Sequence, residues 1–193
     1  MNTAVAIHIA SNALILIGHN PISDFNEDGA GARVAKNFYE PTVRALLQSY
    51  PWKFAKKKAR LNRLVAKPLN SWEYQFEIPT DHIKTLTVND HVDYEIFQDK
   101  IYCNDKDIDL DYIYRVDETY FTPMFREYVE LYLAAKWAVP VTENAATMTN
   151  FMTMADNMRT KAKYDDAQSQ TGSSVWQASA LPVFVRRSRM GRR

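Results

Sequence analysis

Scarcity marks this sequence before any motif does. One cysteine, Cys103, stands among 193 residues, which excludes an internal disulfide and any cysteine-built zinc site. Five glycines leave little room for chemistry hung on glycine-rich loops. The longest apolar run, residues 4–17, has 14 residues and carries His8, Ser11 and Asn12, short of the ~20 a bilayer needs. No Lys or Arg precedes Arg33, so the basic start of a secretory signal is missing. These absences predict a soluble chain with no membrane partner. The net charge is only +1 and says little about partners. What the sequence does hold is 46% apolar and 12% aromatic residues, enough for a folded chain. A fold of this size buries roughly 70% of its unfolded-chain surface without staples.

Periodicity divides the chain. In the first segment the polar groups His8, Ser11, Asn12 and, just beyond it, His19 follow one helical stripe, and nearly everything else in 4–17 is Ala, Val, Ile or Leu, which predicts a helix packed on most sides. Gly18 stops it and Asn20-Pro21 turns the chain. A second helix is expected over 32–49, with Val34, Phe38, Leu46, Leu47 and Tyr50 on its buried face and Pro41 kinking or dividing it. Near Pro51 the period becomes two. Trp72, Tyr74, Phe76 and Ile78 alternate with Glu73, Gln75 and Glu77, a half-buried strand ended by Pro79. Further strands are expected over 54–65, 83–88, 94–98, 100–103 and 110–116, joined by Asn-Asp and Gln-Asp turns. Thr122-Pro123 is an N-cap and first-turn pair for a third helix over 124–138, broken at Val139-Pro140. Thr142 then caps a last helix to about 168, packed through Met148, Phe151, Met152, Ala155, Met158 and Ala162.

The expected fold is α+β: a four-helix bundle (1–52 and 120–168) with a small antiparallel β-sheet or barrel (53–119) inserted between its second and third helices. Residues 169–193 form an extended C-terminal tail. The tail contains no acid, five arginines (Arg186, Arg187, Arg189, Arg192, Arg193) and the apolar anchors Trp176, Leu181, Val183, Phe184 and Val185. Such a segment has no local core to fill and is expected to order on something else.

Catalytic patterns fail one by one. Gly29-Ala30-Gly31 begins a dinucleotide fingerprint, but no strand precedes it and Val34 stands where the third Gly belongs. Asp105, Asp107, Asp109 and Asp111 alternate as calcium ligands do, yet Leu110 and Val116 occupy the positions needing Gly and Glu; on a strand the four acids would share one solvent face. Asp81-His82 and Asp90-His91 suggest at most an acid–base or metal hydrolase, which either His→Ala would inactivate. His8 and His19 suit packing or a hydrogen bond, and Cys103 has no nucleophile signature around it. No catalytic residue, metal or cofactor is assigned, and the chain does not read as an enzyme.

Charge is segregated. Residues 53–67 hold seven bases (Lys53, Lys56, Lys57, Lys58, Arg60, Arg63, Lys67) and no acid, whereas residues 81–118 hold eleven acids against four bases. Such blocks either attract their opposites on neighbouring copies, with Lys56, Lys57, Lys58 and Arg60 facing Asp105, Asp107, Asp109 and Asp111, or lie side by side in one sheet and neutralise each other. A third reading is a nucleic-acid-binding module: an open β-barrel with a basic tail, using the aromatic strand for stacking.

Several motifs resemble the tail tubular protein A family, the head-to-tail adaptors of tailed, mainly short-tailed, bacteriophages. They are Asn-Ala-Leu-Ile-Leu-Ile-Gly-His-Asn-Pro (12–21), Arg-Ala-Leu-Leu-Gln-Ser-Tyr-Pro-Trp-Lys-Phe-Ala (44–55), Trp-Glu-Tyr-Gln-Phe-Glu-Ile-Pro-Thr-Asp (72–81) and Pro-Met-Phe-Arg-Glu-Tyr-Val (123–129). The resemblance covers most of residues 10–170. It implies a structural virion protein, assembled in the host cytoplasm and sited at the head–tail junction. It further implies a dodecameric ring below the portal protein that continues the DNA channel, docks a tail nozzle protein resembling tail tubular protein B, and has tail fibres around its side. Genomic DNA would pass through the lumen without sequence recognition. Position and composition assign portal contact to Trp176, Leu181, Phe184, Arg186, Arg187, Arg189, Arg192 and Arg193.

Overall fold

A computed structural model describes residues 3–69, 71–89 and 92–168. Helices α1 (Thr3–Leu16) and α2 (Ala30–Gln48) come first. Six strands follow: β1 (Lys56–Arg60), β2 (Tyr74–Glu77), β3 (His82–Val88), β4 (Tyr94–Phe97), β5 (Lys100–Cys103) and β6 (Asp109–Tyr114). Helices α3 (Pro123–Thr142) and α4 (Ala145–Gln168) close the order. The fold is α+β. No helix among the described residues is long and apolar enough to cross a membrane. The tail residues 169–193, and with them every residue assigned to portal contact, lie outside the described residues, as do Asp90 and His91.

Helix α3 packs against each of the other three helices. Its sequence explains why: Phe125, Tyr128, Val129, Leu131, Leu133, Ala134, Ala135, Trp137 and Ala138 are all buried, more than one stripe accounts for. Thr122 accepts from the Phe125 N–H at 3.3 Å, and Pro123 fills a first-turn position where its missing N–H costs nothing. The helix does not stop at Val139-Pro140. Pro140 lies in the last turn and forfeits one hydrogen bond. The helix ends instead at Glu143, left-handed at φ 55°, whose N–H reaches the Val139 carbonyl. Thr142 therefore belongs to α3, its hydroxyl donating to the Ala138 carbonyl at 2.7 Å. The cap of α4 is Asn144, which accepts from the Thr147 N–H at 3.0 Å.

Other expectations shift by smaller amounts. Pro41 lies inside a continuous α2, because Tyr39, Thr42, Val43, Leu46 and Leu47 bury the helix on both sides of it. The buried stripe runs through Ala35 and Tyr39, which turns Phe38 outward, where the Lys136 ammonium covers its ring at 5.6 Å. Helix α1 ends as expected, with Gly18 at φ 78° and the His19 N–H bonded to the Leu14 carbonyl at 2.9 Å, but Ile15 and Leu16 remain exposed. On α4, Met148 is exposed while Ala155, Met158 and Ala162 are buried.

The strands form two three-stranded antiparallel sheets, ordered β1-β6-β3 and β2-β5-β4, rather than one. The expected strand over 54–65 shortens to β1, because Lys53–Ala55 make a 3-10 turn that carries Trp52 and Ala55 into the helical core. Strand β6 serves two cores. Ile113 joins the helical cluster, whereas Leu110 and Tyr112 join Leu61, Phe76, Val88, Ile101, Cys103 and Ile108 in a second cluster. Of the four alternating acids only Asp109 and Asp111 lie on a strand; Asp105 and Asp107 sit in the β5–β6 loop.

Candidate functional site

The seam between helices and sheets gathers the motif residues. Tyr50, Trp52 and Phe54, from the connection between α2 and β1, meet Phe121, Phe125 and Tyr128 around the start of α3. Trp52 lies 4.8 Å from Phe125, centroid to centroid, Phe54 5.0 Å from Phe125, and Phe121 4.9 Å from Phe125. These tilted and edge-on contacts are the favoured geometries for aromatic pairs. The indole N–H of Trp52 donates to the Leu46 carbonyl at 3.1 Å, satisfying the polar atom that burial isolates. Segments distant in the chain thus form one aromatic cluster.

A charged clasp crosses the same seam. Arg115, at the end of β6, donates from Nε and Nη2 to the Glu40 carboxylate of α2 at 2.8–3.1 Å. It also pairs with Glu118 and donates to the Val116 carbonyl. Arg115 is 8% exposed and Glu118 fully buried. Burial alone would raise the Glu40 carboxyl, but hydrogen bonds and charge from Arg115, then Arg44, hold it below its ordinary value. Burial pushes up the Tyr39 hydroxyl, and the Glu118 charge adds to that. Nothing in the residue pattern marked Arg115; its only signal was being one base within an acidic stretch.

Helix α4 is fastened here too. The Lys53 N–H donates to Asp166 at 2.9 Å and the Lys53 ammonium to the Ala167 carbonyl at 2.7 Å. The last described turn before residues 169–193 is therefore held at the root of β1.

The segregated charges are brought together within one sheet. In the β1–β6 register Lys58 faces Asp111 and Arg60 faces Asp109, with ion pairs of 3.5 Å and 3.0 Å. Lys57, on the opposite face, pairs with Asp81 at 2.7 Å, which also accepts from the Tyr112 hydroxyl at 3.0 Å. Burial opposes ionisation of Asp81, but these two donors hold its carboxyl below the ordinary value, as the hydrogen bond from Arg60 does for Asp109. Lys56, Asp105 and Asp107 are exposed and enter no such ion pair among the described residues.

The remaining described candidates are engaged in local contacts. His82 shares a hydrogen bond with Thr85 at 2.9 Å and packs on Tyr112, while Asp81 is occupied by Lys57 and Tyr112. Burial lowers the His82 pKa, partly offset by Asp81. His8 lies 3.4 Å from the Asn12 amide. His19 lies against Gly31, where an added Cβ would approach its ring to 2.8 Å, so this glycine answers to packing. Burial raises the Cys103 thiol, which points at the Asp105 carbonyl 3.6 Å away. Phe76 is fully buried and Tyr74 half-buried, so the aromatic strand presents no continuous stacking face. Among the described residues no three His, Cys, Asp or Glu side chains group as a metal site. No protein-family model matches the chain, and no curated protein matches it.

Proposed function

We propose that this chain is a structural virion protein, a head-to-tail adaptor that forms a dodecameric ring below the portal, and that it is not an enzyme. The observation that carries the reading is the aromatic seam. Two of the motifs behind the family resemblance, residues 44–55 and 123–129, supply the contacts that tie the helices to the sheets. In this reading residues 1–52 and 120–168 are the four-helix bundle and residues 53–119 its inserted β domain. Residues 169–193 meet the portal, with Trp176, Leu181 and Phe184 as anchors and Arg186, Arg187, Arg189, Arg192 and Arg193 as the charged contacts.

A ring of identical copies uses heterologous contacts, which close only at one rotation. Lys58, Arg60, Asp109 and Asp111 are already paired within the chain; their exposed edges, with Lys56, Asp105 and Asp107, form the charged face offered to the next copy. The acidic stretch 81–118 suits a channel, because a lumen rich in Lys or Arg would hold phosphates and slow passing DNA. Below the ring a nozzle protein docks, fibres attach at the side, and the assembled particle is the site of action.

Sedimentation velocity of the full chain, alone and mixed with the portal ring of the same virion, tests this. The expected result is a slow free species that joins the portal in near-stoichiometric copies. A chain that ignores the portal and sediments with single-stranded DNA overturns the adaptor reading.

A further inference from the structure

Among the described residues β4 is the strand whose four residues are all exposed, and three of them, Tyr94, Ile96 and Phe97, are large and apolar. It is the outer strand of its sheet. The other edges are managed in recognisable ways. Strand β1 is rich in lysine, β3 is irregular at two places, and β2 is flanked by the Arg63 bridge to Phe76 and the Leu64 N–H bond to the Gln75 carbonyl. Phe97 and Lys100 close the two-residue Gln98-Asp99 turn, so hydrogen bonding to β5 alternates from there. The N–H and C=O groups of Tyr94 and Ile96 therefore point away from the sheet. Beside this edge lies a groove of about 710 Å³, floored by Gln75 and Tyr102 and walled by Leu69, Glu95, Phe97 and Lys100. Phe97 is 59% exposed and Leu69 fully so.

Charge says what fits. From 92 to 99 the chain holds Asp93, Glu95 and Asp99 and no base, interspersed with Tyr94, Ile96 and Phe97, while Lys67 and Lys100 line the groove itself. A partner must offer a backbone to pair, apolar side chains for the groove and positive charge for the acids along the strand. The sequence contains such a segment: residues 181–193 hold Leu181, Val183, Phe184, Val185 and five arginines, with no acid. Reach allows it. The last described turn is fastened at Lys53, and β1 runs from there towards Leu61 in the core that β5 shares. The twelve residues 169–180 span at most ~40 Å, and a five-residue strand such as β1 covers ~17 Å. A tether this short favours its own surface over a second copy in dilute solution.

We infer that the open edge of β4 and its groove are an intramolecular docking surface for the chain's own residues 181–193. Docking covers an edge that would otherwise pair with other chains. A portal would then take the tail by competition, but the inference stands whether or not the chain joins one.

Amide hydrogen exchange on the full free chain tests it. The Glu95 and Phe97 amides, bonded to β5, serve as the internal reference for Tyr94 and Ile96. The expected result is exchange at Tyr94 and Ile96 at least about tenfold slower in the natural chain than in a variant with all five tail arginines changed to Glu, the reference amides being unchanged. Phe97→Asp, on an exposed position, should likewise release those two amides and speed trypsin cleavage at the tail arginines. Equal exchange in the natural chain and the arginine variant overturns the inference and leaves the edge open for another protein. Protection that disappears on dilution from about 100 µM to about 1 µM also overturns it, assigning the occupant to a second copy.

Discussion

Arg115 binds three parts of the chain at once: the carboxylate of Glu40 on α2, that of Glu118, and the Val116 carbonyl. With 8% of its side chain exposed, its guanidinium has exchanged water for these acceptors, and the planar fork suits such multiple pairing better than an ammonium would. Removing one member of a buried pair strands the other, which costs about 3–5 kcal/mol. Arg115→Met should therefore lower unfolding stability by about that much at neutral pH, read from urea denaturation, and Arg115→Lys should recover only part. The sign with pH follows from Glu40. Its folded carboxyl lies below the ordinary 4.5, so its contribution is present above that value and lost as pH falls through the lower folded one. The gap between natural protein and variant should narrow correspondingly in acid. A gap that is constant from pH 7 to pH 3 would remove Glu40 from the clasp.

Elements reveal how far a linear reading carries. Helix starts with chemical caps were legible: Thr122-Pro123 sets the start of α3 through a local hydrogen bond, and Gly18 ends α1 through its own φ. Strand β5 coincides with its expected limits because Gln98-Asp99 and Asn104-Asp105 bound it with turn residues on both sides. Proline did not divide α2 at Pro41, where buried residues on both sides outweigh one lost hydrogen bond, and it did not end α3 at Pro140, which sits in the last turn before the left-handed Glu143. Near Pro140 the end of α3 falls to Glu143 and the start of α4 to Asn144. Asn144→Ala should cost about 1 kcal/mol through loss of the cap, measurable as a fall in denaturation midpoint with unchanged slope. An unchanged midpoint would mean that packing of α4 on α3 alone sets the boundary. The division into two sheets was not legible, because strand order depends on pairings such as Lys56 with Ile113 and Arg60 with Asp109, distant in the chain, that no local signal specifies.

Across the whole molecule the segregated charges become a local matter. Of the two readings open in the sequence, neighbouring strands in one sheet account for Lys58 with Asp111 and Arg60 with Asp109. These pairs are more than half exposed on the basic side, where such bridges contribute about 0–1 kcal/mol each. Changing Lys58 and Arg60 together to Glu should therefore leave the chain folded, with a modest drop in thermal midpoint. If the same face meets the next copy in a ring, the double variant should fail to join that ring while remaining folded. Normal ring entry by the variant would take these residues out of the copy-to-copy contact. The motifs behind the adaptor proposal were visible only as a family resemblance, and their meeting at Trp52, Phe54 and Phe125 was not visible at all, because it joins segments that only the completed fold brings within contact.

The fastening of α4 to Lys53 gives the molecule a mechanical property. Any pull applied through the residues after Gln168 arrives first at Asp166 and Ala167, and passes through Lys53 to the root of β1. That root adjoins the aromatic seam on one side and the paired strand β6 on the other. Tension on the C-terminal end is thus shared between helices and sheets at their common boundary, instead of peeling α4 away from its free end. A protein gripped by that end would load the junction of α4 with β1 before any other part of its body.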